Sequence, residues 1–267
     1  MNGRRAVIGL SLLSALVFCA FAAPNASAAA AKNTTAFTCV KVTPGSGVFE
    51  DEHCDKAKAG GEYTHAPLTG NPTNIVVDNT TTGGATTNAV LKGEAAGAKV
   101  EITCTKVSGK GSIENKEPVA KEHKIIIVLT TEFTSCTVNK PAKCTVKAIV
   151  VKEAKGEGVE GLGAGKNEMG VEFKPAAGEI FVTINLEGAE CALKATPLEI
   201  KGTAIATGGT ATQTEKHSGA TAIFTNAMTK ETLSFGGKPA EFSATTTTRM
   251  EDVGGVKQPP ISLTTVT

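Results

Sequence analysis

The chain has 267 residues, with 27 Lys and Arg against 26 Asp and Glu, a formal charge of +1. Losing Arg4 and Arg5 with an export signal leaves 25 basic residues against 26 acidic ones, so nothing electrostatic draws the chain to nucleic acid or to an anionic membrane. With no Trp, 1 Tyr, 10 Phe and 29 Gly, an aromatic-rich core is excluded, and short strands joined by glycine turns are favoured.

Residues 1–28 read as a secretion signal: Arg4 and Arg5 precede the apolar run Ala6 to Ala22, Pro24 breaks it, and Ala26-Ser27-Ala28 offers small residues for cleavage before Ala29. Cys19 lies inside the apolar run behind Phe18, not after a small residue as a lipidated cysteine would, and leaves with the signal. No later segment approaches the roughly 20 apolar residues of a membrane span. The last residues, Ser262 to Thr267, carry no hydrophobic anchor, so free secretion is expected. Residues 29–36 are expected to be a flexible lead-in, and 37–267 a single β-rich extracellular domain.

Alternating apolar and polar residues predict strands at Phe37–Val42, Asn74–Asp78, Lys99–Val107, Lys124–Phe133 and Cys144–Lys152. Further strands are predicted at Gly170–Lys174, Glu179–Leu186, Leu198–Ala206, Ala220–Phe224, Ala240–Thr247 and Ile261–Val266. Turn signals separate them, among them Pro44-Gly45, Gly83-Gly84, Gly208-Gly209 and Gly236-Gly237. The only hint of helix is a turn within Lys152–Lys166, weakened by its glycines. Ile125 to Leu129 is a continuous apolar run, as in a strand covered on both faces, whereas Phe181–Leu186 and Leu198–Ala204 alternate and should have one wet face. The fold class expected is all-β, an antiparallel β-sandwich or flattened barrel. Thr38-Cys39-Val40-Lys41-Val42 echoes Thr103-Cys104-Thr105-Lys106-Val107, which reads as coincidence in a Thr- and Lys-rich chain rather than as a duplicated hairpin.

Beyond the signal there are six cysteines: Cys39, Cys54, Cys104, Cys136, Cys144 and Cys191. An even number in an exported chain implies disulfides, with about fifteen connectivities open. Cys136 and Cys144 flank a Pro-containing turn and are expected to bond across a hairpin; Cys39 and Cys54 flank the turn at Pro44 to Gly47. That leaves Cys104 with Cys191 as a long clasp. No C-x-x-C spacing points to thiol or metal chemistry instead.

Other candidate sites are weak. Asp51, Glu52 and Asp55 could offer oxygens to calcium, or His53 and His65 nitrogens to zinc, but neither spacing matches a ligand loop, and a solvated turn is the simpler reading. No G-x-S-x-G elbow or H-E-x-x-H occurs; Ser46 sits among glycines, and His217-Ser218 is adjacency rather than a triad. Gly161 to Lys166 superficially suggests a phosphate loop but lacks the following Ser or Thr. Tyr63 is the sole Trp or Tyr available to stack on a sugar. Asn33-Thr34-Thr35 and Asn79-Thr80-Thr81 are formal glycosylation acceptors.

The segments Phe37 to Val42 with His53-Cys54-Asp55, Val100 to Cys104, Ser135 to Val138 with Cys144 to Val146, Val171 to Pro175 and Cys191 to Leu193 together span most of the mature chain. In this order they resemble a family of secreted, disulfide-bonded, β-rich proteins of high-GC bacteria for which no activity is established. The resemblance implies one extracellular β-rich domain and no catalytic residues. The expected role is therefore binding or structural, toward an extracellular ligand or surface component, with no catalytic set, cofactor or metal assigned. The alternative is a glycoside-type hydrolase with a dispersed Asp/Glu pair; a third reading, a lipid-carrying barrel, requires an apolar cavity.

Overall fold

The computed structural model describes residues 34–52, 54, 56–69, 72–79, 81–82, 85–116, 124–160, 169–207, 220–224, 232–251, 254 and 261–265. Every regular element among them is a strand. The first are β1 (Thr34–Lys41), β2 (Gly47–Phe49), β3 (Ala57–Gly61), β4 (Tyr63–Pro67) and β5 (Thr73–Asn79). A small hairpin, β6 (Thr81–Thr82) and β7 (Ala85–Thr86), precedes β8 (Ala89–Ala95) and the long β9 (Ala98–Lys116) and β10 (Lys124–Lys140). Then come β11 (Thr145–Val151), β12 (Ala154–Glu160), β13 (Met169–Pro175), β14 (Ile180–Glu187), β15 (Leu198–Lys201) and β16 (Ala204–Thr207). The chain closes with β17 (Ala220–Phe224), β18 (Ser234–Phe235), β19 (Lys238–Pro239), β20 (Glu241–Met250) and β21 (Ile261–Thr265).

Eight of these strands close a ring. Antiparallel ladders join β5 to β9, β9 to β10, β10 to β12, β12 to β13, β13 to β16, β16 to β17, β17 to β20 and β20 back to β5. The order around the ring follows the order along the chain, so the barrel is an up-and-down meander, a closure that removes exposed strand edges. Inward residues alternate along each strand as the pleat requires: Ile125, Ile127 and Leu129 of β10, Val171 and Phe173 of β13, and Ala204 and Ala206 of β16 are all buried in one core. Outward positions of the same strands carry paired charges, Lys124 and Lys155 with Glu157 and Lys174 with Glu172.

Long strands continue past one end of the ring and make a second layer. β8 pairs with the first half of β9, Ala95↔Ala98 to Ala89↔Cys104, and with the start of β20, while β5 takes the far halves of both. β5 and β8 thus act as one strand interrupted by the β6–β7 hairpin. Facing this extension is a sheet of order β11-β14-β15-β18-β19, built from the connections that leave the barrel at this end. The two layers form a β-sandwich whose interior is continuous with the barrel's.

The other end of the barrel is closed by the sheet β21-β1-β4-β2-β3. β1 lies against β9, β10 and β12, and β21 against β13, β17 and β20, so the pair spans the barrel mouth. Thr34 and Ala36 of β1 and Ile261 of β21 are fully buried there. Thr34 Oγ1 accepts the Ile125 N–H at 3.1 Å, and Asn115 holds β1 by accepting from the Ala36 N–H (2.7 Å) and donating to the Ala36 and Leu68 carbonyls.

The expected all-β class and most of the expected strands are present, and the structure combines the sandwich with the barrel. Three expectations are corrected. The lead-in ends earlier than residue 36, because Thr34–Ala36 belong to β1. Residues 154–160 are strand β12 rather than a helical turn, since β10 and β13 supply ladder partners on both sides. The Cys39 and Cys104 segments differ, as a chance echo should: β1 turns back after Lys41, whereas β9 runs unbroken through Gly109 and Gly111. Finally, the Cys39–Cys54 bond is present, but Cys136 bonds Cys104 and Cys144 bonds Cys191. Cys136 stands directly across the β9–β10 ladder from Cys104, with Cα atoms 3.9 Å apart. After the Pro141 turn the chain crosses to the facing sheet instead of returning along β10, which carries Cys144 away from Cys136 and toward the turn after β14.

Candidate functional site

The residues singled out from the sequence are not gathered into one place. Asp51 caps a turn, its carboxylate accepting the Lys56 N–H at 2.8 Å, and Glu50 pairs with Lys56 and Lys58. This is the solvated turn beside a disulfide, with Cys39 and Cys54 buried next to it. His65 lies in β4 between the rings of Phe37 (4.5 Å) and Phe49 (4.7 Å) and belongs to packing. Tyr63, half-buried on the same sheet, has the Lys41 ammonium 5.9 Å from its ring centre. Ser46 donates to the Thr43 carbonyl within its turn. Among the described residues no three His, Cys, Asp or Glu side chains come together as a metal set, and no helix is long and apolar enough to cross a membrane. The signal, His53, Asp55, Gly161–Lys166 and the His217-Ser218 pair lie outside the described residues.

What the fold does create is a cavity. About 160 Å³ is open to water-sized molecules where the barrel interior meets the sandwich interior. On the barrel side it is walled by Val77, Val107, Leu129, Phe173, Ala204 and Ala244. On the sandwich side the wall is Leu91, Ile102, Ile149, Ile184, Ile200 and Leu233. Phe133, Phe181 and Phe242 add to the apolar lining, and among the described residues the polar contribution is confined to Thr131, Thr246, Thr248 and Lys152. No Asp or Glu among the described residues lines it.

The cavity follows from residue size. At the closed end of the barrel Ile75, Ile113, Ile125, Ile127 and Val171 fill the interior, helped by β1 and β21, and none of them lines the cavity. β12 contributes little volume here: a Cβ at Gly156 would stand 2.6 Å from the Phe173 ring, and one at Gly158 would fall on Thr34 Oγ1. These glycines let larger neighbours take the space. Toward the sandwich the inward positions become Ala89, Ala154, Ala204 and Ala244 with the three threonines, and the space is left empty. An eight-stranded barrel is just wide enough for side chains to fill or to hold one small ligand, so a run of alanines decides for the second. A mostly apolar cavity of this volume has room for an apolar guest about the size of benzene.

The wall beside the cavity has one break in its ladder. Between the β5 and β8 pairings, Ala244 and Thr245 of β20 and Thr105 to Val107 of β9 have no ladder partner on that side. Side chains bridge the break: Asn79 Oδ1 accepts the Val107 N–H, Asn79 Nδ2 donates to the Thr87 carbonyl, and Thr87 Oγ1 donates to the Thr245 carbonyl at 3.3 Å. The Asn79 amide, formally a glycosylation acceptor, is therefore committed to the barrel wall.

Sequence reasoning named some of the cavity residues, Cys104 as a disulfide partner and Leu129 in an apolar run, but none as a ligand contact. The available signal was compositional, a chain rich in Ala and Thr and poor in aromatics, which foretells a thin core without saying where the missing volume falls. No family model, no curated protein and no solved structure matches the chain.

Proposed function

We propose that this chain is an exported, non-enzymatic binding protein that holds a small apolar molecule where its barrel meets its sandwich. The apolar cavity of about 160 Å³ carries the reading: binding sites are concave, mostly apolar and preformed, with few polar groups. Export is supported by three disulfides within the chain, which persist in oxidising compartments, and by the signal-like N-terminus. The glycoside-hydrolase alternative draws no support from this cavity, because two carboxylates must flank a scissile bond and none among the described residues lines it.

Thermal unfolding in the presence of benzene tests the reading. A ligand that binds only the folded state raises the midpoint in proportion to ln(1 + [L]/Kd). The wild-type midpoint should rise with benzene concentration, and the rise should disappear in Ala204→Leu, which occupies the cavity. An equal shift in both proteins, or none in the wild type, sinks the proposal.

A further inference from the structure

We infer that the ligand is an amphiphile, an apolar tail of roughly six or seven carbons carrying a carboxylate, and that Lys152 receives the carboxylate at the cavity mouth; this rests on the binding reading above. Three observations converge on Lys152. Of the described residues lining the cavity it alone is charged, and it alone is exposed. The mouth is therefore where Lys152 stands, in the short link between β11 and β12 at which the chain passes from the sandwich sheet back to the barrel. This link is anchored, because the Lys152 N–H donates to the Phe181 carbonyl at 2.8 Å, which fixes the backbone from which the side chain extends.

The third observation is that the Lys152 ammonium has no ion-pair partner among the described residues. Several other lysines do have one: Lys155 and Lys124 hold Glu157, Lys174 holds Glu172 and Lys201 holds Glu199; among the described residues Lys152 shares its unpaired state with Lys147, which does not line the cavity. Glu153, its neighbour in sequence, does not line the cavity. A cation at the rim of an otherwise apolar chamber favours a guest whose tail is buried and whose anionic end stays at the water boundary. The long methylene stem of lysine suits such a rim, covering apolar surface while the ammonium remains wet. The threonines inside, Thr131, Thr246 and Thr248, bring hydroxyls but no charge, so they offer nothing that would draw an ionic head deeper.

Calorimetric titration with octanoate, octan-1-ol and octylammonium separates head from tail. In the wild type octanoate should bind about threefold tighter than octanol, the scale of a solvent-exposed charge pair, and octylammonium more weakly than either. The octanoate-to-octanol ratio should fall to about one in Lys152→Gln and invert in Lys152→Glu, a change of about tenfold between wild type and K152E. The preference should also shrink in about 1 M salt. If all three compounds bind but the ratio stays within about twofold across the variants, the carboxylate inference fails and the cavity reading stands. If none binds to the wild type, both fail.

Discussion

The two ends of the barrel are made from the same strands and differ in what those strands point inward. At the end closed by β1 and β21, isoleucines meet across the ring and buried Thr34 and Asn115 satisfy the backbone where the covering strands cross. At the sandwich end the same strands turn alanine and threonine inward, and space remains. β16 shows the change over a single repeat of the pleat: Ala206 faces the filled end and Ala204, two residues before it, lines the cavity. One end is built for stability. The other accepts a deficit of packing, and two of the three disulfides, Cys104–Cys136 and Cys144–Cys191, fall in the sandwich that surrounds it. Covalent closure substitutes there for contacts that a hollow interior cannot make.

That division predicts where covalent bonds matter most. Replacing Cys144 and Cys191 together by Ala should lower stability by about 4 kcal/mol on loop entropy alone, since the bond closes 47 residues. Replacing Cys39 and Cys54 should lower it by about 3 kcal/mol, for a closure of 15. Urea unfolding of the two double variants compares them. A larger loss from the Cys39–Cys54 pair would mean that the hollow half does not depend on its crosslinks.

The alanines of β16 sharpen the same contrast without touching a disulfide. Ala206→Leu adds methyl groups to a filled interior and should destabilise by about 1–3 kcal/mol. Ala204→Leu adds them to empty space and should be neutral or stabilising by up to about 1 kcal/mol, the gain from new apolar burial. Equal losses in the two variants, read from urea midpoints, would show that the cavity collapses around Ala204 in solution.

The strands were legible because alternation and glycine or proline punctuation are local. Ile125–Leu129 is buried along both faces apart from partly covered Val128, and β14 and β15 alternate as read. Some of the strands missed, β3 and β12, are made of residues with little strand preference of their own. β12, Ala-Lys-Gly-Glu-Gly-Val-Glu, is made into a strand by β10 and β13 on either side, an instance of pairing overriding propensity. Ring closure was out of reach because β5 meets β20 some 170 residues away, and no local pattern records such a partner. The disulfide pairing failed on the same ground: Cys136 and Cys144 flank a turn, but the turn changes sheets. The cavity was hidden more deeply, since an alanine reads as filler until one knows which residue stands opposite.

The smallest expected effect belongs to the outer face of the filled end. Glu157 on β12 takes a hydrogen bond from Lys124 and, less strongly, one from Lys155, and these hold its carboxyl below the ordinary value against an opposing contribution from burial. A carboxyl whose folded pKa is depressed stabilises the fold above its unfolded pKa, and that stabilisation is lost as pH falls through the folded value. Glu157→Gln should therefore cost stability at pH 7, by less than about 1 kcal/mol because the pair is partly solvated. The wild type should converge on the variant as pH falls through the folded value, where the carboxylate takes up its proton. Urea unfolding of both proteins at pH 7, 4 and 3 measures the convergence. A difference that persists unchanged at pH 3 would assign the loss to packing of the side chain against β10 rather than to its charge, and the filled end would then owe nothing to its surface ion pairs.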